Sequence, residues 1–454
     1  MATIIKRKKS YSVVYNYKDE NGKTKQKWET CHTYREALKR KTEVENQLMN
    51  GDFIAPSKLT LEEFLNDFVT LYGEPKWSLR MYDTCTAMIR NYINPLIGHL
   101  EVQSITPKRA DQFIKELQRT EPVLINNRKP KNKYVTPSTI EKIIKLLKVA
   151  FNQAIKWEII NRNPFENCII PKVEHKTRDI WTVDQIQKAL DHCTDGKLYV
   201  AINLSFACSM RIGEILGLTW DHVDISDQAI ANDNASIYIT SELERIPLKT
   251  LEVLNNRGVQ KVFPPVIPNS TTRVILKEPK TKSSIRRVWL PKTVAYILKE
   301  WKAKQEHLKE LLQDEYQDFN LVVSLENGRP CENRIIEKQF KKLKEKADLP
   351  NVVFHSLRHS STTYKLKLNN GDLKATQGDT GHAQIDMITK VYAHILDEDR
   401  RKNAQKFEKA FYSTDLRDVR PPQTNENMNI NALVEQLKES PELLETLAKL
   451  LSKK

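Results

Sequence analysis

The residues best equipped for chemistry stand late in the chain. Phe354-His355-Ser356-Leu357-Arg358-His359 opens a helix that continues through Tyr364. His355 and Arg358 are three apart and so share a face of it. Thr380-Gly381-His382 follows, and ten residues after His382 comes Tyr392, in Lys390-Val391-Tyr392-Ala393-His394. Far upstream, Arg211 begins Arg211-Ile212-Gly213-Glu214-Ile215-Leu216-Gly217-Leu218. Lys280 and Lys282 lie in the turn Pro279-Lys280-Thr281-Lys282-Ser283-Ser284. Cations of this kind neutralise phosphate, and tyrosine is a side chain able to form a covalent intermediate. Taken singly, each has a structural alternative. Arg211 could cap a helix, Lys280 could be a solvated turn lysine, and the histidines could be satisfied helix-end residues. Tyr392 could be a core aromatic beside Val391 and Ile395. Other hydrolytic signatures are missing: there is no Walker loop, no GxSxG, no HExxH, and no carboxylate cluster for two-metal chemistry.

These residues need a frame, and the composition describes one. The chain has 454 residues and a formal charge of +15. At roughly 150 residues per domain the length implies about three domains. A hydrophobic content of 39% suits buried cores and argues against wholesale disorder. No apolar run is long enough to cross a bilayer, and Met1 to Arg7 runs into basic residues rather than a signal-peptide core. The six cysteines form no CxxC pair, which argues against a zinc finger or disulfide framework and for the cytoplasm. The positive balance favours a polyanionic partner.

The basic excess is uneven: residues 1–27 carry +6. The strand-like run Ser10–Tyr17, a turn at 19–23, a second run to Trp28 and a helix from Thr33 to about Asn50 make a small sheet with one helix. Lys6, Arg7, Lys8, Lys9, Lys23, Lys25 and Lys27 make it a candidate DNA-binding module that lays its sheet in a groove. Residues 59–172 read as all-helical. Leu61, Phe64, Leu65 and Phe68 form one stripe, and Thr136-Pro137 starts a helix with Ile140, Ile143, Ile144, Leu147 and Phe151 on one face. Helices are also expected near 79–94 and 107–119, with a basic loop over 120–136. Lys142, Lys145 and Lys148 lie off the stripe and are candidate phosphate contacts, or simply a solvated face. Residues 164–178 read as a linker. Beyond it, 235–240, 273–276 and 285–290 read as strands, while 241–270 carries few signals of either kind. A polar stretch, 415–427, precedes an amphipathic helical pattern over 430–451, for which packing on its own domain is expected.

In this order and spacing, His-x-x-Arg-His, Gly-His, the following Tyr, the Arg-Ile-Gly-Glu-Ile-Leu-Gly-Leu helix and the Lys-Thr turn resemble the tyrosine recombinase family, the lambda-integrase-like site-specific recombinases. The likeness extends outward, since the basic N-terminal module resembles the arm-site domain of phage and conjugative-transposon integrases. The helical block resembles their core-binding domain. The resemblance implies a multidomain, mainly α protein with small β-sheets. Residues 1–57 would be an arm-site domain of a three-stranded sheet plus helix, 58–172 a helical SAM-like core-binding domain, and 173–411 an α+β catalytic domain. Residues 412–454 would be a flexible linker and C-terminal helices.

It also implies roles. Tyr392 would attack the scissile phosphate and form a 3′-phosphotyrosine, keeping the bond energy so that neither ATP nor any metal or cofactor is needed. Arg211 and Arg358 would clamp the non-bridging oxygens, since guanidinium matches phosphate bidentately and stays charged. Lys280, in a hairpin turn, would be the general acid, with Lys282 its rival. His355 would serve as base or proton shuttle, and His382 would donate a hydrogen bond to the phosphate. Glu214 would orient Arg211 or a neighbouring helix. His359 and His394 are read as structural. The implied partners are double-stranded DNA at core and arm sites, three further copies in a homotetramer, an excisionase and a host DNA-bending protein, at the bacterial nucleoid.

Some positions depart from the family pattern. Cys208-Ser209-Met210 stands where many relatives have Thr-Gly-Leu or Thr-Gly-Met, and Thr380 stands for the Leu before Gly-His. The stretch 241–270 is longer than many relatives carry, and would be a contact element or a disordered insertion. Two other classes share features of this reading. One is a type IB topoisomerase-like nicking-closing enzyme, and the other a non-catalytic DNA-binding regulator on the same fold.

Overall fold

The computed structural model describes residues 2–18, 22–51, 53–123, 130, 132–172, 180–369 and 372–380. His382, Tyr392, the polar stretch and the C-terminal helices lie outside the described residues, as do residues 124–129 and 131 of the basic loop over 120–136.

The N-terminal sheet is antiparallel, β1 (Thr3–Lys6), β2 (Tyr11–Lys18) and β3 (Thr24–Cys31) in that order. Alternation sends Val13, Tyr15 and Tyr17 towards α1 (Tyr34–Asn50). Thr33 caps α1, with the Glu36 carboxylate returning to its backbone, and Gly51 at φ 76° ends it in the left-handed region. Glu29 accepts from Tyr15 at 2.5 Å and from Arg40 at 2.6 Å, which locks both strands to the helix.

The helical block contains α2 (Leu61–Phe68), α3 (Glu74–Lys76), α4 (Leu79–Met88), α5 (Pro107–Leu117) and α6 (Pro137–Lys156). The stripe of α2 is wholly buried, against Phe151 of α6 among others. After Met88 the helix continues to Gly98 in wider turns around Pro95, whose missing N–H breaks the normal bonding pattern. α6 stops at Lys156, and Glu158 just beyond it turns to φ 57°. One expectation changes here. The stretch from residue 164 is not yet a linker, since Phe165 is fully buried with its ring 5.0 Å from that of Phe151.

The third region opens with α7 (Val183–His192), α8 (Gly196–Phe206) and α9 (Ile212–Leu216). β4 (Val223–Asp224), α10 (Asp227–Ala231), β5 (Ser236–Ile239), β6 (Glu242–Pro247), α11 (Leu248–Val253), β7 (Val259–Val262), β8 (Thr272–Lys277) and β9 (Arg286–Trp289) follow. α12 (Lys292–Leu312), α13 (Asn333–Lys346), α14 (His355–Leu368) and α15 (Leu373–Thr380) close the described chain. One sheet has the order β4-β5-β9 and another β6-β8-β7. The three expected strands are present, but two further expectations need correction. The 241–270 stretch is folded, because β6 and β7 find their partner in the later strand β8. The turn carrying Lys280 is not a hairpin tip: β8 and β9 belong to different sheets, and the turn is the connection between them.

Candidate functional site

The site begins at a backbone turn. After α8 the chain passes through Ser209 at φ 52°, a left-handed conformation that glycine adopts most readily. Serine therefore takes a conformation that the expected family pattern would give to glycine. Its hydroxyl is 2.6 Å from that of Ser361 on α14, and its carbonyl accepts a hydrogen bond from Arg358. The turn delivers Arg211 to the N-terminus of α9. There Glu214 accepts from the Arg211 backbone N–H at 2.9 Å and from its guanidinium at 2.7 Å. Gly217 ends α9 where a Cβ would lie 2.8 Å from the backbone of Glu242, so only glycine lets β6 approach this closely.

Arg358 is the third residue after His355 on α14 and is 1% exposed. Besides Ser209 it donates to the Thr380 carbonyl at 2.6 Å. Thr380, noted above as a departure from the family pattern, thus presents its backbone to a candidate catalytic arginine. Burial, aided by the Arg211 charge, pushes the Arg358 guanidinium down to about 9, still charged at neutral pH. Glu214 is 1% exposed. Burial works to raise its carboxyl, but the Arg286, Arg211 and Arg358 charges outweigh it and hold the group below the usual carboxylate range. A buried carboxylate, two buried guanidiniums and the partly buried Arg211 therefore share one locus.

Arg286 is the member of this locus that the motif reading missed. It opens β9 and meets Glu214 through two contacts of 3.3 and 3.2 Å. The available signal was alternation, since Arg286 and Val288 point inward on a strand whose other residues, Arg287 and Trp289, face out. Lys280 is exposed in the connection before β9. That connection is tethered to the locus, because the Ser284 hydroxyl lies 3.4 Å from the Arg211 guanidinium and 2.9 Å from the Thr281 hydroxyl. His355 is half-buried at the start of α14, its ring 4.7 Å from that of His359. The structure thus brings Arg211, Glu214 and Arg358 together and ties the Lys280 turn to them.

The fold and motif order have relatives. Residues 60–174 match the phage integrase SAM-like domain and residues 266–399 the phage integrase family, together more than half of the chain. The chain belongs to the tyrosine recombinase family. It is a site-specific DNA recombinase of the integrase type. It is 24% identical to a XerC-like tyrosine recombinase of Caldanaerobacter subterraneus over 84% of this chain and 90% of that one. It is 22% identical to the ICEBs1 integrase of Bacillus subtilis, covering 72% and 77% of the two chains. Among solved structures, the Tn1549 transposon integrase bound to transposon right end DNA superposes with a TM-score of 0.57 at 19% identity. That match covers 77% of this recombinase and 99% of the other chain, and it shows a shared fold.

The candidate DNA contacts of the recombinase are dispersed. Lys6, Arg7, Lys8 and Lys9 are exposed, and Arg7 lies 5.2 Å over the Trp28 ring. Trp28 sits on the outward sheet face with Gln26 and Thr30. Lys23 is exposed beyond the β2–β3 turn. Lys25 and Lys27 pair with Tyr17 and Tyr15 and so share the face that meets α1, not the outward one. On α6, Lys145 pairs with Glu141 at 2.7 Å, Lys148 donates to the Glu166 carbonyl at 2.6 Å, and Lys142 lies off the buried stripe. Among the described residues no His/Cys/Asp/Glu group could hold a metal ion, and no helix is long and apolar enough to cross a membrane.

Proposed function

We propose that this recombinase integrates or excises a mobile element, cutting and rejoining two DNA sites through a 3′-phosphotyrosine on Tyr392. Four copies act on two duplexes, exchange one pair of strands, pass through a Holliday junction and exchange the second pair. Arg211 and Arg358 hold the scissile phosphate, Lys280 protonates the leaving 5′-oxygen, His355 moves the proton, and His382 donates to the phosphate. The domain division near 57 and 173 assigns arm sites to the first module and core sites to the remainder. An excisionase and a host bending protein are the partners that would set direction, and the nucleoid is where the enzyme would work.

The observation that carries this reading is the convergence of Arg211 and Arg358 on one locus around the buried Glu214. Arg358 is buried and Arg211 partly buried, their like charges repel, and a phosphodiester anion or its pentacoordinate transition state between them relieves that repulsion where charge develops. The Tn1549 integrase named above is that of a transposon, which supports the mobile-element assignment. The test is a suicide DNA substrate. Wild type should form a covalent adduct that Tyr392→Phe loses and Tyr364→Phe keeps, since Tyr364 packs on Phe206 at 6.1 Å. No adduct from wild type on any cognate site would sink the reading. Recombination between paired sites, as opposed to relaxation alone, separates an integrase from a topoisomerase-like enzyme.

A further inference from the structure

Arg286 is 8% exposed, and the roles assigned so far give it no work. A guanidinium is costly to bury unless it is paired, and its partner is the carboxylate that also holds Arg211. A carboxylate has about four lone-pair sites, enough to serve two guanidiniums. Sharing has two consequences. Glu214 is fixed from two sides, by β9 and by α9, so its plane cannot follow Arg211. One negative charge divided between two cations also leaves Arg211 with positive charge to spend on another anion. Arg286 donates as well to the Ser284 carbonyl at 3.1 Å, and the hydroxyl of that serine lies 3.4 Å from Arg211. The same guanidinium therefore holds the end of the Lys280 turn.

We propose that Arg286 is a positioning residue for strand cleavage: by pinning Glu214 and Ser284 it sets the Arg211 guanidinium and the Lys280 turn against the scissile phosphate. The proposal rests on the assignment of Arg211 to that phosphate.

The experiment uses the full chain in single-turnover cleavage at saturating DNA. It compares an ordinary scissile phosphodiester with a methylphosphonate at the same position, whose neutral phosphorus centre asks less of a cation clamp. Arg286→Lys keeps the charge but not the planar fork. It should bind DNA as wild type does, unfold near the wild-type midpoint, and cleave the phosphodiester about 100-fold more slowly. On the methylphosphonate both Arg286→Lys and Arg211→Lys should close most of their gap to wild type. Arg286→Met should show the larger defect, and should it fail to fold, Arg286→Lys carries the test alone. A folded Arg286→Lys that cuts the phosphodiester at the wild-type rate overturns the proposal. So does a defect equal on both substrates while Arg211→Lys is rescued, because that pattern marks a structural role. A wild-type rate from Arg211→Lys removes the clamp assignment itself, and this proposal with it.

Discussion

Glu214 carries the electrostatics of the site. Its folded carboxyl titrates below the ordinary value of 4.5, because three guanidiniums outweigh the burial that opposes them. A folded pKa below the unfolded one means that the folded state binds fewer protons near pH 4. The stabilisation is then fully present above the unfolded value and is lost as pH falls through the folded one. Glu214→Gln keeps an acceptor but leaves Arg211 and Arg286 without their anion, a change costing about 3 kcal/mol at neutral pH. Urea unfolding should show that gap between wild type and variant from neutral pH down to about pH 5, and should show it narrowing at lower pH. A gap independent of pH would mean that packing, not charge, sets the cost. Nothing in the local pattern around Glu214 announces its second partner, since Arg286 is 72 residues away.

At the scale of elements, the 241–270 stretch shows what local pattern reveals and what it does not. The stripe of α2 and the helix starts at Thr33 and Thr136 were readable because their partners lie within one or two helical turns. β6 pairs with β8 across some thirty residues, Glu242 opposite Lys277, and its strand character depends on that distant partner. The folded insertion also does more than fill space. Ile246, Leu251, Leu254 and Ile275 form a small core with Leu79 of α4. Arg80 reaches Glu244 at 2.7 Å and Arg257 reaches the Pro75 carbonyl at 2.9 Å. Leu79→Ala removes the α4 side of that core, and buried Leu→Ala changes cost about 2–5 kcal/mol. Hydrogen exchange in α11 and β7 should accelerate in this variant, while the amides of α6 keep their protection. Unchanged exchange in the insertion would mean that Arg245, paired with Glu332 at 2.6 Å, holds it without help from α4.

For the whole molecule the +15 charge becomes a question of which cations meet phosphate. Each neutralised phosphate releases counterions and contributes about −0.9 to the slope of log affinity against log salt. Arg7, Lys8 and Lys9 are exposed next to the outward face of the N-terminal sheet, where Trp28 is 46% exposed. The α6 lysines are differently placed, since Lys145 and Lys148 already have partners that binding must displace. Replacing Arg7, Lys8 and Lys9 together by Gln should therefore flatten the salt slope for arm-site DNA by about 2–3. The same replacement at Lys142, Lys145 and Lys148 should change it by less than about 1. Fluorescence anisotropy over a salt series gives both slopes. If the α6 set carried the larger change, the main phosphate contact would lie on the helical block and the sheet would act chiefly as a reader of base edges. Core-site cleavage offers an internal control, because a deletion of residues 1–57 leaves the Arg211, Glu214, Arg286 and Arg358 locus intact. That deletion should abolish the arm-site slope yet leave the single-turnover cleavage rate on saturating core DNA within about threefold of wild type, since surface changes far from the reacting atoms act mainly on association.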